Sequence, residues 1–140
     1  MKRNDLEAFE RYMATKRAEM DRRIQALGDM SGGGILRYGD DQRWAFILLD
    51  VTGSERWRIQ YFDLKGFSGH SVFDKQTDAI RSAVSSGFDV RDDGALDRVQ
   101  TLPSFWRGIY AADLIRQING GAITFKQGNE MLEEYDASHA

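Results

Sequence analysis

Residues 66–108 read GFSGHSVFDKQTDAIRSAVSSGFDVRDDGALDRVQTLPSFWRG, and this stretch decides the fold of the chain. It predicts a loop over Gly66–His70, a helix that Asp74 caps and a short strand over Phe88–Val90. A turn and two more helices follow. Glycine and capping residues separate these segments clearly, whereas residues that carry chemistry are few. The stretch is therefore informative about architecture rather than about function.

The segment before it predicts an antiparallel meander over residues 35–63. Ile35–Tyr38 is a short strand, Arg43–Val51 is apolar on both faces, and Arg56–Asp63 alternates between apolar and polar residues. A strand that is apolar on both faces belongs in the middle of a covered sheet. The connections between the three strands are short and rich in turn residues, which favours hairpins over crossovers.

Residues 1–28 predict a long helix that ends at Gly28. Its apolar residues recur at spacings of three, four and seven: Leu6, Phe9, Met13, Met20, Ile24 and Leu27. This narrow stripe leaves two interpretations open. The helix either lies across the domain's own sheet or forms an arm that pairs with a second copy or grips a partner. Lys16 and Arg23 interrupt the stripe and weaken a sustained heptad pattern.

Together these segments predict a single α+β domain over residues 1–140. It consists of an N-terminal helix or arm (1–28), the meander (35–63) and a mainly helical part (66–140), in which Thr124 opens the last helix with a capping box. The expected sheet is antiparallel with three or four strands. Three or four shorter helices follow the long first helix.

Composition limits the classes of function. The chain has 140 residues, a net charge of −3 and no cysteine, so disulfides, thiolate metal sites and a cysteine nucleophile are excluded. No apolar run reaches the length that spans a bilayer, and the charged first residues do not read as a signal peptide. These features predict a cytoplasmic protein without membrane contact. No cofactor and no metal site are expected.

Acidic residues form the first candidate interaction site. A protein-binding surface is predicted for Asp89, Asp92, Asp93, Asp97, Glu130, Glu133, Glu134 and Asp136. Carboxylates in such runs mimic phosphate and attract lysine and arginine side chains of a target. The competing interpretation is that Asp92-Asp93-Gly94 is only a turn and that Asp97 is only a helix residue.

Basic residues form an alternative site for nucleic acid. The candidates are Arg11, Lys16, Arg17, Arg22, Arg23, Arg56 and Arg58. Cations beside aromatic strand residues are typical of RNA-binding sheets, but the RNA-recognition fingerprint is missing and the strand segment is charge neutral. Direct nucleic-acid binding is therefore the less favoured prediction.

His70 is the remaining candidate for chemistry. It is near Asp63 and Asp74 in sequence, and a histidine beside a carboxylate can act as a general base. The alternative is a histidine that braces its loop. Because His139 is the only other histidine, the chain is expected not to be an enzyme, and a small enzyme centred on His70 stays the second alternative.

Several motifs within residues 66–108 resemble a known family pattern. They are Gly66-Phe67-Ser68-Gly69-His70, Phe73-Asp74, Gly87-Phe88, Gly94-Ala95-Leu96-Asp97-Arg98 and Trp106-Arg107-Gly108. The stretch resembles small domains associated with large polyvalent proteins of plasmids, integrative elements and phages. The resemblance implies an accessory protein of a mobile element, such as an anti-CRISPR or antirestriction inhibitor, whose partner is a host protein or nucleoprotein complex. The recurring glycines then serve architecture.

Overall fold

The computed structural model describes residues 2–50, 52 and 55–140. The chain is an α+β protein in which a five-stranded antiparallel sheet carries helices on both faces. The elements in chain order are α1 (Arg3–Ala26), β1 (Gly34–Tyr38), β2 (Arg43–Leu49), β3 (Trp57–Asp63), β4 (Gly66–Phe73), α2 (Gln76–Ser85), β5 (Phe88–Arg91), α3 (Ala95–Val99), α4 (Pro103–Asn119) and α5 (Phe125–Ser138).

The sheet has the strand order β4-β3-β2-β1-β5, so β2 is its central strand, as the apolar pattern predicts. Ala45 and Ile47 of β2 are buried on one face, while Trp44 is buried on the other. Alternation along a strand places neighbouring side chains on opposite faces, so a strand between two helical layers must be apolar throughout. Val51 of the predicted strand, and Gly53 and Ser54 of the predicted turn, lie outside the described residues.

One face of the sheet is covered by α2 and the C-terminal end of α1. The buried residues of α2 are Ala79, Ile80, Ala83 and Val84, the four that its periodicity predicts. They pack against Leu36, Ile47 and Ile59 of three neighbouring strands. Small alanines on this face let α2 approach the sheet closely.

The opposite face is covered by α3 and α4. Trp44 and Phe62 stack with their ring centroids 5.3 Å apart, and Phe105 of α4 packs into the same cluster. The helix α5 packs outside α4, where the rings of Tyr110 and Tyr135 are 4.7 Å apart. The predicted capping box of Thr124 is present at the start of α5.

The strand count and the start of the helical part differ from expectation. Gly66–His70 is not a loop: it is the first part of β4, which pairs with β3. Glycine and serine do not favour a strand by themselves, but pairing with β3 supplies the backbone hydrogen bonds that stabilise β4. With β4 and β5 the sheet has five strands instead of three or four. Asp74 does not cap α2 either; it forms an ion pair with Arg56 at 3.3 Å.

Candidate functional site

The first half of α1 projects away from the domain. All residues from 3 to 18, here called the arm, are exposed, and 16 residues of helix are about 24 Å long. Leu6, Phe9 and Met13 of the arm are 47%, 52% and 37% exposed. Met20 and Ile24, on the same helical face, pack against the core. The apolar stripe therefore continues beyond the body that covers its second half.

Ion pairs hold the second half of α1 in place. Arg81 of α2 contacts Asp21 at 2.6 Å, and Arg23 contacts Asp89 of β5 at 3.0 Å. Leu27 is buried immediately after the helix. The second half of α1 thus covers the domain's own core, as the first interpretation predicts, and the arm is exposed. Pairing of the arm with a second copy or a partner stays a prediction.

The aspartates near β5 bind residues of the protein itself. One carboxylate oxygen of Asp92 accepts the indole N–H of buried Trp44 at 2.9 Å and an N–H of Arg98 at 2.6 Å. The Arg98 hydrogen bond holds the pKa of Asp92 below its ordinary value. The turn predicted at this point is present, and the hydrogen bonds of Asp92 connect β2 with α3.

Asp93 closes a second internal contact. Its Oδ1 accepts the backbone N–H of Ile35 at 3.0 Å and the Nε–H of Arg91 at 3.1 Å. Arg91 also donates to the carbonyl oxygens of Leu27 and Asp29, at 2.9 Å and 2.8 Å. The Arg91 hydrogen bond lowers the pKa of Asp93. The end of α1 and the starts of β1 and α3 meet here.

The acidic residues of α5 are divided between a paired and an open group. Asp136 accepts two hydrogen bonds from Arg107 of α4, at 2.8 Å and 3.0 Å, which lower its pKa. Glu130 contacts Lys126 at 3.9 Å. Glu133, Glu134 and Asp97 are exposed and have no ion-pair partner among the described residues. Of the predicted carboxylates, Asp89, Asp92, Asp93, Glu130 and Asp136 therefore form internal ion pairs, and these three do not.

A cavity of about 540 Å³ lies beside the Arg107–Asp136 pair. Trp106 and Tyr135 line it together with His139, whose ring stacks on Tyr135 at 3.9 Å. The Trp106 indole N–H donates to the carbonyl oxygen of Gln100 at 2.7 Å. The polar groups that line this cavity are therefore largely used in contacts between α4 and its neighbouring segments.

The predicted basic residues are also dispersed. At 3.6 residues per turn, the predicted cations of α1 lie on three sides of the helix: Arg11 with Arg22, Lys16 with Arg23, and Arg17 alone. Lys16 contacts Glu19 at 3.5 Å and Arg23 contacts Asp89. Outside α1, Arg56 and Arg58 pair with Asp74 and Asp50, at 3.3 Å and 3.6 Å.

His70 lies on β4 opposite Gln60 of β3 and is exposed. The two carboxylates expected near it are elsewhere: Asp63 accepts the backbone N–H of Lys65 at 2.7 Å, and Asp74 pairs with Arg56. Within residues 2–50, 52 and 55–140, no group of three histidine or acidic side chains has the arrangement of a metal site. The pairing of His70 with Asp63 or Asp74 that would support a general base is not among the contacts of these residues.

The sequence prediction missed the surroundings of His70. A groove of about 360 Å³ runs between β3, β4 and α4, and His70 lies in it with Arg58, Phe67 and Arg116.

One sequence signal could have indicated that this segment is a strand: Ser71-Val72-Phe73 contains a β-branched and an aromatic residue. The preceding glycines and serine masked it.

Comparison with known proteins gave no matching family model, no matching curated protein and no matching solved structure. The resemblance of residues 66–108 to domains of mobile elements therefore stays a prediction. In the described part of the chain, no helix combines the length and apolar character that crossing a membrane requires.

Proposed function

We propose that the protein is a non-catalytic binding protein that occupies a surface of another protein through its arm. The observation that carries this proposal is the exposed continuation of a stripe whose second half is packed in the core. Leu6, Phe9 and Met13 have the i, i+3, i+7 spacing of helices that bind in apolar grooves. Three large apolar side chains exposed together on one helical face indicate a surface that a partner covers.

The proposed partner is a different protein with an apolar groove. The free stripe covers about two heptads, and Lys16 interrupts it, whereas a stable coiled coil of two copies needs three or four regular heptads. A groove buries a larger part of the surface of a single helix than pairing with one other helix does. The family resemblance favours a host defence protein, of the kind that anti-CRISPR or antirestriction inhibitors bind, as the target.

The acidic residues extend the proposal to a basic target. Asp97, Glu133 and Glu134 have carboxylates that form no ion pair with residues 2–50, 52 or 55–140, so they can bind a partner without the loss of such a pair. Asp92, Asp93 and Asp136 would first have to leave their arginines. We therefore expect Asp97, Glu133 and Glu134 to bind lysine or arginine side chains of the target before the paired aspartates do.

Two double variants of the arm test the proposal. Phe9→Glu with Met13→Glu places carboxylates in the stripe, and Thr15→Glu with Ala18→Glu places the same number on the opposite, exposed face. Immobilised wild-type protein and each variant are used to capture proteins from host lysate, which mass spectrometry identifies. We expect the stripe variant to retain at least about tenfold less of the partner, because burying a charge in an apolar groove is unfavourable.

The matched variant should retain the partner as the wild type does. Equal capture by both double variants contradicts a role of the stripe. Light scattering that shows a wild-type dimer and a monomeric stripe variant contradicts the choice of a different protein as the partner.

A further inference from the structure

The two edges of the sheet differ in how they are protected. The strand β5 has only four residues, and its charged side chains are held by contacts with α1 and the segment after it, through Arg23–Asp89 and Arg91. The strand β4 at the other edge has eight residues, with no lysine, arginine, acidic residue or proline. Charged residues, proline and short length are the usual means by which proteins prevent additional strands from pairing.

A regular part of β4 is available for pairing. A bulge at Ser68 interrupts its register with β3, and Gly69–Phe73 then pairs with β3 without a break. The outer side of β4 has no strand beside it, and no backbone group of other described segments bonds to it. Along Gly69–Phe73, alternate residues therefore direct their backbone N–H and C=O groups away from β3. The Gln60 side chain donates a hydrogen bond to the carbonyl oxygen of Gly69 at 2.8 Å.

The groove between β4 and α4 borders this free edge. Phe67, Ile109 and Ala112 supply apolar walls, and Phe67 is 48% exposed. Its ring is anchored at one side by Phe105, with the centroids 5.6 Å apart. Side chains of a strand added at an edge alternate between the two faces of the sheet. Alternate side chains of an added strand would therefore point toward this groove.

The charges of the groove select its occupant. Arg116 of α4 is 74% exposed, and in the described part of the chain its ion-pair partner is Asp113, at 3.2 Å. Arg58 lies deeper, and its Nε has no hydrogen-bond partner although Asp50 is 3.6 Å away. Arg58 thus already faces a buried carboxylate, whereas the exposed pair of Arg116 with Asp113 is weak and leaves its guanidinium accessible. The segment β4 contains no carboxylate, so pairing with the β4 of a second copy would bring no complementary charge to Arg116. A segment of another protein that carries an acidic side chain would bring this complementary charge.

We propose that β4 binds an extended segment of another protein as a sixth strand, with an apolar side chain against Phe67 and an acidic side chain at Arg116. Main-chain hydrogen bonds to Gly69–Phe73 provide affinity, and the groove provides sequence preference. This site is separate from the arm. The loss of one site leaves the other intact, so the two proposals fail independently.

A displayed library of random nine-residue peptides tests the site. The peptides are selected on the full wild-type chain, and the enriched ones are measured by fluorescence anisotropy. We expect enriched peptides with alternating apolar residues and a glutamate or aspartate. Arg116→Glu should weaken their binding at least about tenfold, and replacing the acidic residue of the peptide by lysine should restore it.

Arg22→Glu is the matched control, since Arg22 is an exposed arginine on α1, and it should bind the peptides as the wild type does. Circular dichroism establishes that both variants are folded. Hydrogen exchange should slow at residues 69–73 when peptide binds. Absence of enrichment, indifference to Arg116→Glu, or protection elsewhere overturns the proposal, as does a dimer that protects the same amides. The arm variant with Phe9→Glu and Met13→Glu should still bind the peptides.

Discussion

At the scale of single residues, Asp92 joins elements that are distant in the chain. Its side chain is 13% exposed, and it accepts hydrogen bonds from Trp44, in the central strand, and from Arg98, in α3. A hydrogen bond from a charged donor to a carboxylate is stronger than a bond between neutral groups. The acceptor also satisfies an indole N–H that the buried ring cannot present to bulk water.

Replacing Asp92 with alanine should destabilise the protein. Asp92→Ala removes the acceptor of the buried Trp44 indole, and an unpaired buried donor costs about 1–3 kcal/mol in the free energy of unfolding. Urea denaturation followed by tryptophan fluorescence measures the change. Asp97→Ala is the control: its exposed side chain has no ion-pair partner in the described residues, so we expect a change within about 0.5 kcal/mol. Equal denaturation midpoints for Asp92→Ala and the wild type would contradict the role of this carboxylate.

At the scale of elements, the approach of α4 to the β3–β4 turn depends on one glycine. A Cβ atom built on Gly108 would lie 1.4 Å from the carbonyl oxygen of Lys65. Ser104, one turn earlier in α4, donates a hydrogen bond to the carbonyl oxygen of Leu64 at 2.8 Å. The helix therefore packs directly on the backbone of the turn, and this contact positions α4 beside the groove.

Gly108→Ala should separate α4 from the turn and destabilise the fold by about 3 kcal/mol or more, because neither backbone can yield without losing its own hydrogen bonds. Thermal and urea unfolding measure the loss. Gly32→Ala provides the comparison, since a Cβ atom at Gly32 meets nothing within 4 Å. That variant should be as stable as the wild type or slightly more stable. Similar stability of the two variants would show that α4 packs differently.

At the scale of the whole molecule, carboxylate–arginine pairs connect the layers. Asp92 and Asp93 join the sheet to α3 and to the end of α1, and Asp136 joins α5 to α4 through Arg107. Each of these aspartates has a pKa below the ordinary value of 3.8 because an arginine donates to it. A carboxyl group whose pKa is lower in the folded state stabilises that state only while it is ionised.

The protein should therefore lose stability in acid. The contribution of these carboxylates is complete well above pH 4 and disappears as the pH falls through their lowered folded pKa values. Urea denaturation between pH 7 and pH 2.5 should show a decreasing free energy of unfolding below about pH 4. Asp92→Ala should have a shallower dependence, because one of the coupled groups is missing. A free energy that stays constant or rises on acidification would contradict this assignment.

Local patterns predicted the elements whose signals lie within a few residues. The four buried residues of α2, the capping box at Thr124 and the central place of β2 all follow from periodicity or from adjacent residues. These patterns act over one or two turns of helix or one strand, and burial reinforces them. The α+β class followed from the order of such segments.

The tertiary structure alone decided where the polar residues are used. Asp92 is 48 residues from Trp44 and Asp136 is 29 residues from Arg107, so local sequence could not show that these carboxylates are paired internally. The strand β4 became a strand because β3 lies beside it, despite a segment rich in glycine and serine. The apolar stripe of α1 can be recognised from local periodicity, whereas packing against the core covers one half of it and leaves the other half exposed. The reason is physical: propensity is local, whereas strand pairing, ion pairing and exposure depend on residues that folding brings together from distant parts of the chain.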